Sequence, residues 1–199
     1  MRHLLLCCLT ILLVACGQPE LPRLAQGATI LAFGDSLTYG IGAENGADYP
    51  SRLAAQLGHP VINAGIPGET TAEGLARLPT TLNETRPALV LLCLGGNDFL
   101  QRKPEAETQR NLDAMLALLA SRKVPVLLIG VPKLGFGLDT PPLYQALAEQ
   151  HQVPLNDTAL ASILGRQQLK SDLVHPNAQG YQILADELAS QLRELGAVR

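Results

Sequence analysis

Apolar residues in this chain fall into two kinds of run. The stretches Ala28–Gly34, Pro60–Ala64, Ala88–Leu94, Val124–Val131 and Val153–Leu155 lack polar alternation and are bounded by glycine, proline or other turn residues. That pattern predicts strands buried on both faces. Between them apolar positions recur at helical spacing. Leu53, Ala54 and Leu57 share a face of Tyr49–Leu57, Leu75 and Leu78 one of a helix from about Thr70, and Leu112, Met115, Leu116 and Leu119 one of Glu105–Ser121. The last of these stripes is core rather than a cofactor box. Thr70 or Thr71 suits an N-cap with Glu73 in the first turn. Further helices are predicted at Leu143–Gln150 and from just after Pro176, a residue suited to a first helical turn, to about Leu195. Five apolar strands alternating with helices predict a doubly wound parallel α/β domain, with no internal repeat and no second domain.

The first residues do not belong to that domain. Arg2, the apolar stretch Leu4–Val14 and small residues before Cys16 read as a secretory leader. The apolar stretch is shorter than the roughly 20 residues that a permanent span needs. Leu13-Val14-Ala15-Cys16-Gly17 resembles the bacterial lipobox, in which the cysteine becomes the acylated first residue. An ordinary signal peptide with a chance cysteine is the alternative. The division expected is a lipoprotein signal over 1–15, lipidated Cys16 and a tether over 16–27, and one domain over 28–199. By resemblance to Gram-negative lipoprotein sorting, Gly17 in place of aspartate favours the periplasmic face of the outer membrane.

Composition narrows the choices further. The chain has 199 residues, enough for one sizeable core, and is 47% hydrophobic and 17% charged, which excludes a disordered chain. Formal net charge is −3 with no basic stripe, so no nucleic-acid partner is expected. Cys93 lies within an apolar strand and reads as a small core residue. No cysteine or histidine pair has zinc-ligand spacing, and neither a P-loop nor a dinucleotide fingerprint is present, so neither a metal nor a cofactor is expected.

Three loops carry chemistry at crevice positions. Gly34-Asp35-Ser36-Leu37 follows the first strand, Gly95-Gly96-Asn97-Asp98 the third, and Asp172-Leu173-Val174-His175 precedes the last helix. A serine needs a base to be a nucleophile, and Asp172 is near enough in sequence to orient the His175 imidazole. The bland readings are a helix N-cap for Ser36 and a helix or turn cap for Asp172. His59 and His151 look like exposed loop residues. The Gly-x-Ser-x-Gly nucleophile elbow is absent.

These blocks, with Asn63-Ala64-Gly65 between the first two, resemble in order the four blocks of the SGNH (GDSL) hydrolase family. Gly68-Glu69-Thr70-Thr71 and Gly74-Leu75-Ala76-Arg77-Leu78-Pro79 are similar to its bacterial acyl-CoA thioesterase, lysophospholipase and arylesterase branch. The resemblance implies a three-layer α/β/α, flavodoxin-like five-stranded sheet of order 2-1-3-4-5. It implies Ser36 as nucleophile, His175 as base and Asp172 as its orienter. The oxyanion donors would be Ser36 N–H, Gly65 N–H and the Asn97 side chain. Gly95 and Gly96 read as turn glycines, and Asp35 and Asp98 as residues that hold their loops. Leu134–Leu138 lines an acyl groove or merely covers the sheet. The expected function is an envelope-anchored serine esterase acting on lysophospholipids, short acyl or aryl esters, and thioesters. A carbohydrate O-acetylesterase and a non-catalytic lipoprotein binding module remain as alternatives.

Overall fold

The computed structural model describes residues 19–133 and 137–199. The expected signal segment, Cys16 and Leu134–Phe136 lie outside them.

Five parallel strands form one sheet: β1 (Ile30–Gly34), β2 (Val61–Gly65), β3 (Leu89–Cys93), β4 (Val126–Ile129) and β5 (Leu155–Asn156). Their order is β2-β1-β3-β4-β5. The chain reverses direction of winding between β1 and β3, and it is outside such a switch point that an open α/β sheet has its crevice. β1 and β3 are buried along their whole length, as their unbroken apolar runs require. The edge strand β2 is partly open.

The long helices fall where the apolar spacing puts them. They are α2 (Tyr49–Leu57), α3 (Thr71–Thr85), α5 (Glu105–Ser121), α6 (Pro142–His151) and α8 (Ala178–Glu194). α3 starts on a full capping box, in which Thr70 and Glu73 satisfy each other's backbone N–H groups. α8 differs from expectation. Asn177 is its N-cap and accepts from the Gly180 N–H, so Pro176 stands outside the first turn. Short helices α1 (Ser36–Tyr39), α4 (Gly96–Leu100) and α7 (Ala159–Leu164), and a 3-10 turn at Gln167–Leu169, lie in stretches expected to be loop or left unassigned.

The second half of the expected 16–27 tether is part of the domain. Leu21 is buried, and its N–H donates to the Leu195 carbonyl at 2.9 Å. Leu24 packs on the core and donates to the Ala197 carbonyl at 2.8 Å. From Leu21 onward this segment is docked beside the end of α8. Among the described residues, no helix is long and apolar enough to cross a membrane.

Candidate active site

At the end of β1 the chain turns abruptly into α1. Asp35 caps that helix by accepting from the Leu37 N–H at 2.9 Å. Ser36 is therefore the first helical residue and not the cap, which leaves its hydroxyl available. The turn needs Gly34, where a Cβ would stand 2.2 Å from Thr38 Oγ1 and 2.4 Å from the Cys93 carbonyl oxygen. Thr38 is fixed in turn by the Tyr49 hydroxyl at 3.0 Å.

His175 comes from the far end of the chain, on a loop that Asp172 shapes. One Asp172 oxygen accepts from the Val174 and His175 N–H groups, each at 2.8 Å, and the other faces His175 Nδ1 at 2.7 Å. Desolvation is the largest single influence on this carboxyl and would raise its pKa. Hydrogen bonds from the His175 ring and from the Val174 and His175 N–H groups outweigh it and hold Asp172 below its usual range. An ionised carboxylate only accepts, so Nδ1 carries the proton and Nε2 is left as the acceptor. His175 Nε2 lies 2.9 Å from Ser36 Oγ. The three residues are thus joined in one hydrogen-bonded line.

The other two histidines do other things. His59 Nδ1 bonds with the Ala28 carbonyl at 3.0 Å and His151 Nε2 with Asp113 at 2.6 Å. Both are half-buried rather than exposed loop residues.

The expected oxyanion donors are not all where the sequence suggests. Asn97 opens into the cavity at the end of β3, with its amide nitrogen 2.9 Å from the Glu69 carbonyl and 3.3 Å from Asp35 Oδ2. The first contact fixes the amide, and an oxyanion would have to take the second N–H from its longer bond to Asp35 Oδ2. Gly65 does not fit its assigned part. Its N–H donates to Asn63 Oδ1 at 3.0 Å, and it does not line the cavity. It is a glycine because α1 packs against it: a Cβ there would lie 2.1 Å from the Tyr39 nitrogen.

Gly68, three residues on, lines the cavity instead. Ile66 to Glu69 form a turn closed by the Glu69 N–H to Ile66 carbonyl bond at 3.1 Å, with Gly68 at φ 83°. Proline then glycine at the two central positions suits a type II turn. The Gly68 N–H has no acceptor among the described residues. Pro67-Gly68 is a turn signal in the sequence, but nothing there marks the Gly68 N–H as a donor to the site.

A partly buried ion pair joins these loops. Arg77 grips Glu69 with two bonds, Nε to Oε1 at 2.8 Å and Nη2 to Oε2 at 2.6 Å. It also donates to the Ala64 carbonyl at 3.1 Å and lies over the Phe33 ring at 4.0 Å. Since Glu69 supplies the carbonyl that fixes Asn97, one pair braces both the Gly68 turn and the Asn97 amide. Asp98 accepts from the Thr71 N–H at 2.8 Å and hydroxyl at 2.6 Å, tying α4 to the start of α3. Asp35 is fully buried, and burial pushes its pKa up to about 7. The Leu37 N–H opposes that rise and the charges of Glu69 and Asp98 add to it. Cys93 is a buried thiol whose pKa burial raises well above its ordinary value, as expected of a core residue.

Ser36 and His175 face a cavity of about 520 Å³ with apolar walls that include Ile41, Phe99, Leu100, Val131 and Leu164. Leu134–Phe136 lie outside the described residues, but Val131, Pro132 and Lys133, which lead into them, line the cavity. Among the described residues no cluster of histidine, cysteine, aspartate or glutamate is arranged to hold a metal ion.

The chain and its fold also resemble known proteins. Residues 32–183 match the family model described as the GDSL-like Lipase/Acylhydrolase family. The chain is 35% identical to "Esterase TesA" of Pseudomonas aeruginosa over 188 residues, covering 88% of this chain and 90% of that protein. It is 34% identical to "Thioesterase 1/protease 1/lysophospholipase L1" of Escherichia coli, covering 87% of each. Its fold resembles that in "Crystal Structure of TesA" with TM-score 0.74 and 31% identity, over 84% of this chain and 99% of that one.

Proposed function

The chain belongs to the GDSL-like lipase/acylhydrolase family, and we propose that Ser36, His175 and Asp172 carry out its serine-hydrolase chemistry on carboxylic esters. The observation that carries this reading is the line Asp172–His175–Ser36, at 2.7 and 2.9 Å, ending in an apolar cavity. Ser36 Oγ attacks the ester carbonyl carbon while His175 Nε2 takes its proton. Asp172 steadies the imidazolium that forms. Negative charge then develops on the carbonyl oxygen, and the N–H groups of Ser36, Gly68 and Asn97 are the donors we assign to it. His175 returns the proton to the departing alkoxide, which leaves as the alcohol. Water, deprotonated by the same imidazole, attacks the acyl-enzyme and releases the acid and Ser36.

An apolar cavity suits an acyl chain or an aryl group. The lysophospholipase and thioesterase named among the relatives support lysophospholipids and thioesters as substrates. A fluorophosphonate should label the protein covalently and Ser36→Ala should abolish labelling. A hydrolysis panel of lysophospholipid, aryl ester and acetylated sugar should favour the first two. Labelling that survives Ser36→Ala would refute the assignment of the nucleophile.

We further propose that Cys16 is acylated and anchors the protein in the cell envelope. The support is the sequence Leu13-Val14-Ala15-Cys16-Gly17. Cys16→Ser should move the protein out of the membrane fraction or leave its precursor uncleaved. Unchanged partition into detergent would count against the anchor.

A further inference from the structure

The cavity is less uniform in charge than the protein around it. The whole chain carries a net charge of −3. Of the charged groups on the cavity wall, Asp35 is fully buried and bonded to the Leu37 N–H, whereas Arg102 and Lys133 are exposed at the surface. Both cations stand on the β3–β4 side, on two different loops. Arg102 follows α4 and has a left-handed backbone, φ 56°, held by its N–H to the Phe99 carbonyl at 3.0 Å. The Arg102 guanidinium has no acceptor among the described residues. Lys133 follows β4, with Nζ 5.9 Å from the centre of the Phe99 ring. Its nearest carboxylate, Glu105, is 3.7 Å away, beyond hydrogen-bond length, with both side chains about half exposed. Water screens a pair of that kind and leaves the ammonium donors unused.

Hydrolysis of a neutral ester uses neither cation. We propose that Arg102 and Lys133 form a subsite for an anionic group, in the first place phosphate, carried by the ester away from its reacting carbonyl. This rests on the ester-hydrolase reading of Ser36. The planar fork of an arginine fits two phosphate oxygens at once, and a lysine adds a point charge from a second direction. Phe99, Leu100 and Val131 line the same cavity wall as the two cations. The substrate class is therefore amphipathic, an acyl ester with a phosphate on its alcohol portion.

The test uses two short, freely soluble esters with the same reacting bond, hexanoylglycerol 3-phosphate and hexanoylglycerol, so that no lipid surface takes part. The quantity read is the ratio of their kcat/KM values. For wild type we expect about a tenfold preference for the phosphate ester, falling with added salt. Arg102→Gln and Lys133→Gln should each lower the ratio roughly threefold, and the double variant should bring it near one, as partly exposed charge pairs are worth about 1 kcal/mol or less. Arg102→Lys should retain part of the preference. A wild-type ratio near one, or a ratio unchanged in the double variant, overturns the subsite while ester hydrolysis stands. If wild type hydrolyses neither ester and takes no fluorophosphonate, the reading beneath it fails as well.

Discussion

Asp35 sits directly before Ser36 and fully buried, and it is the one carboxyl here whose pKa burial drives up to about 7. Its unfolded value is near 3.8, so between those limits the folded chain keeps a proton that the unfolded chain has released. The folded state then binds more protons, and stability falls as pH rises through that window. Asp35→Asn has no proton to lose there. The melting temperature of the variant should gain on wild type steadily from about pH 4 to pH 7, by an amount equivalent to a few kcal/mol. A constant difference across the window would mean that Asp35 is already ionised at its lower end. Asn97 and Gly65 call for two different readouts. Asn97→Ala removes a donor to developing charge, so kcat should fall about 10²- to 10³-fold with KM nearly unchanged. Gly65→Ala puts a Cβ 2.1 Å from the Tyr39 nitrogen. It should cost roughly 1–3 kcal/mol of stability by overpacking, seen as a lower melting temperature. If Gly65→Ala kept wild-type stability and lost only kcat, Gly65 would return as an oxyanion donor.

Among the elements, the strands and long helices were readable because burial on both faces and on one face leave different periods in the sequence. The apolar run of β1 and the Leu112, Met115, Leu116 and Leu119 stripe of α5 are clear cases. The start of α3 was readable to within one residue, since Thr70 and Thr71 both suit an N-cap, and the capping box with Glu73 places it at Thr70. The helices α1 and α4 were not, being 4 and 5 residues long, too short to show a helical period. Tertiary contacts fix them: Thr38 to Tyr49 for α1, and Asp98 to Thr71 for α4. In the site, Ser36, His175 and Asp172 could be read from residue type and order. Gly68 and the Glu69–Arg77 pair could not, since the use of each depends on distances between loops. That pair carries its own prediction. Glu69 keeps only 4% of its side chain exposed, and Arg77→Met leaves its carboxylate without a partner. Breaking a fully buried pair costs about 3–5 kcal/mol, and the partial exposure of Arg77 lowers that figure. Arg77→Met should therefore melt earlier and also lose kcat, through the Gly68 turn and the Asn97 amide. Adding Glu69→Gln should recover much of the stability. Normal kcat in Arg77→Met would show that the two loops hold the donors without this brace.

On the scale of the whole molecule, the site and the start of the domain lie at opposite ends. Ser36, Asn97 and Lys133 follow the C-terminal ends of β1, β3 and β4, and α8 begins just after His175. With 17 residues, α8 spans about 26 Å, and Leu21 is bonded to Leu195 just past its far end. If Cys16 carries the anchor, the five residues to Leu21 reach at most about 18 Å when fully extended. The domain would then rest on its membrane by the N-terminal edge of the sheet, with the cavity facing away. The lipids of that leaflet would be out of reach of Ser36, and esters would come from solution or from a facing surface. This can be tested with the acylated protein in vesicles. Lysophospholipid in the protein's own vesicles should be hydrolysed no faster than the same lipid in separately added vesicles. A flexible Gly/Ser linker of about 40 residues before Leu21, with a root-mean-square reach of roughly 35 Å, should raise hydrolysis within the same vesicle. Faster attack on its own bilayer without that linker would mean that Leu21 and Leu24 leave their docking site when the protein is anchored.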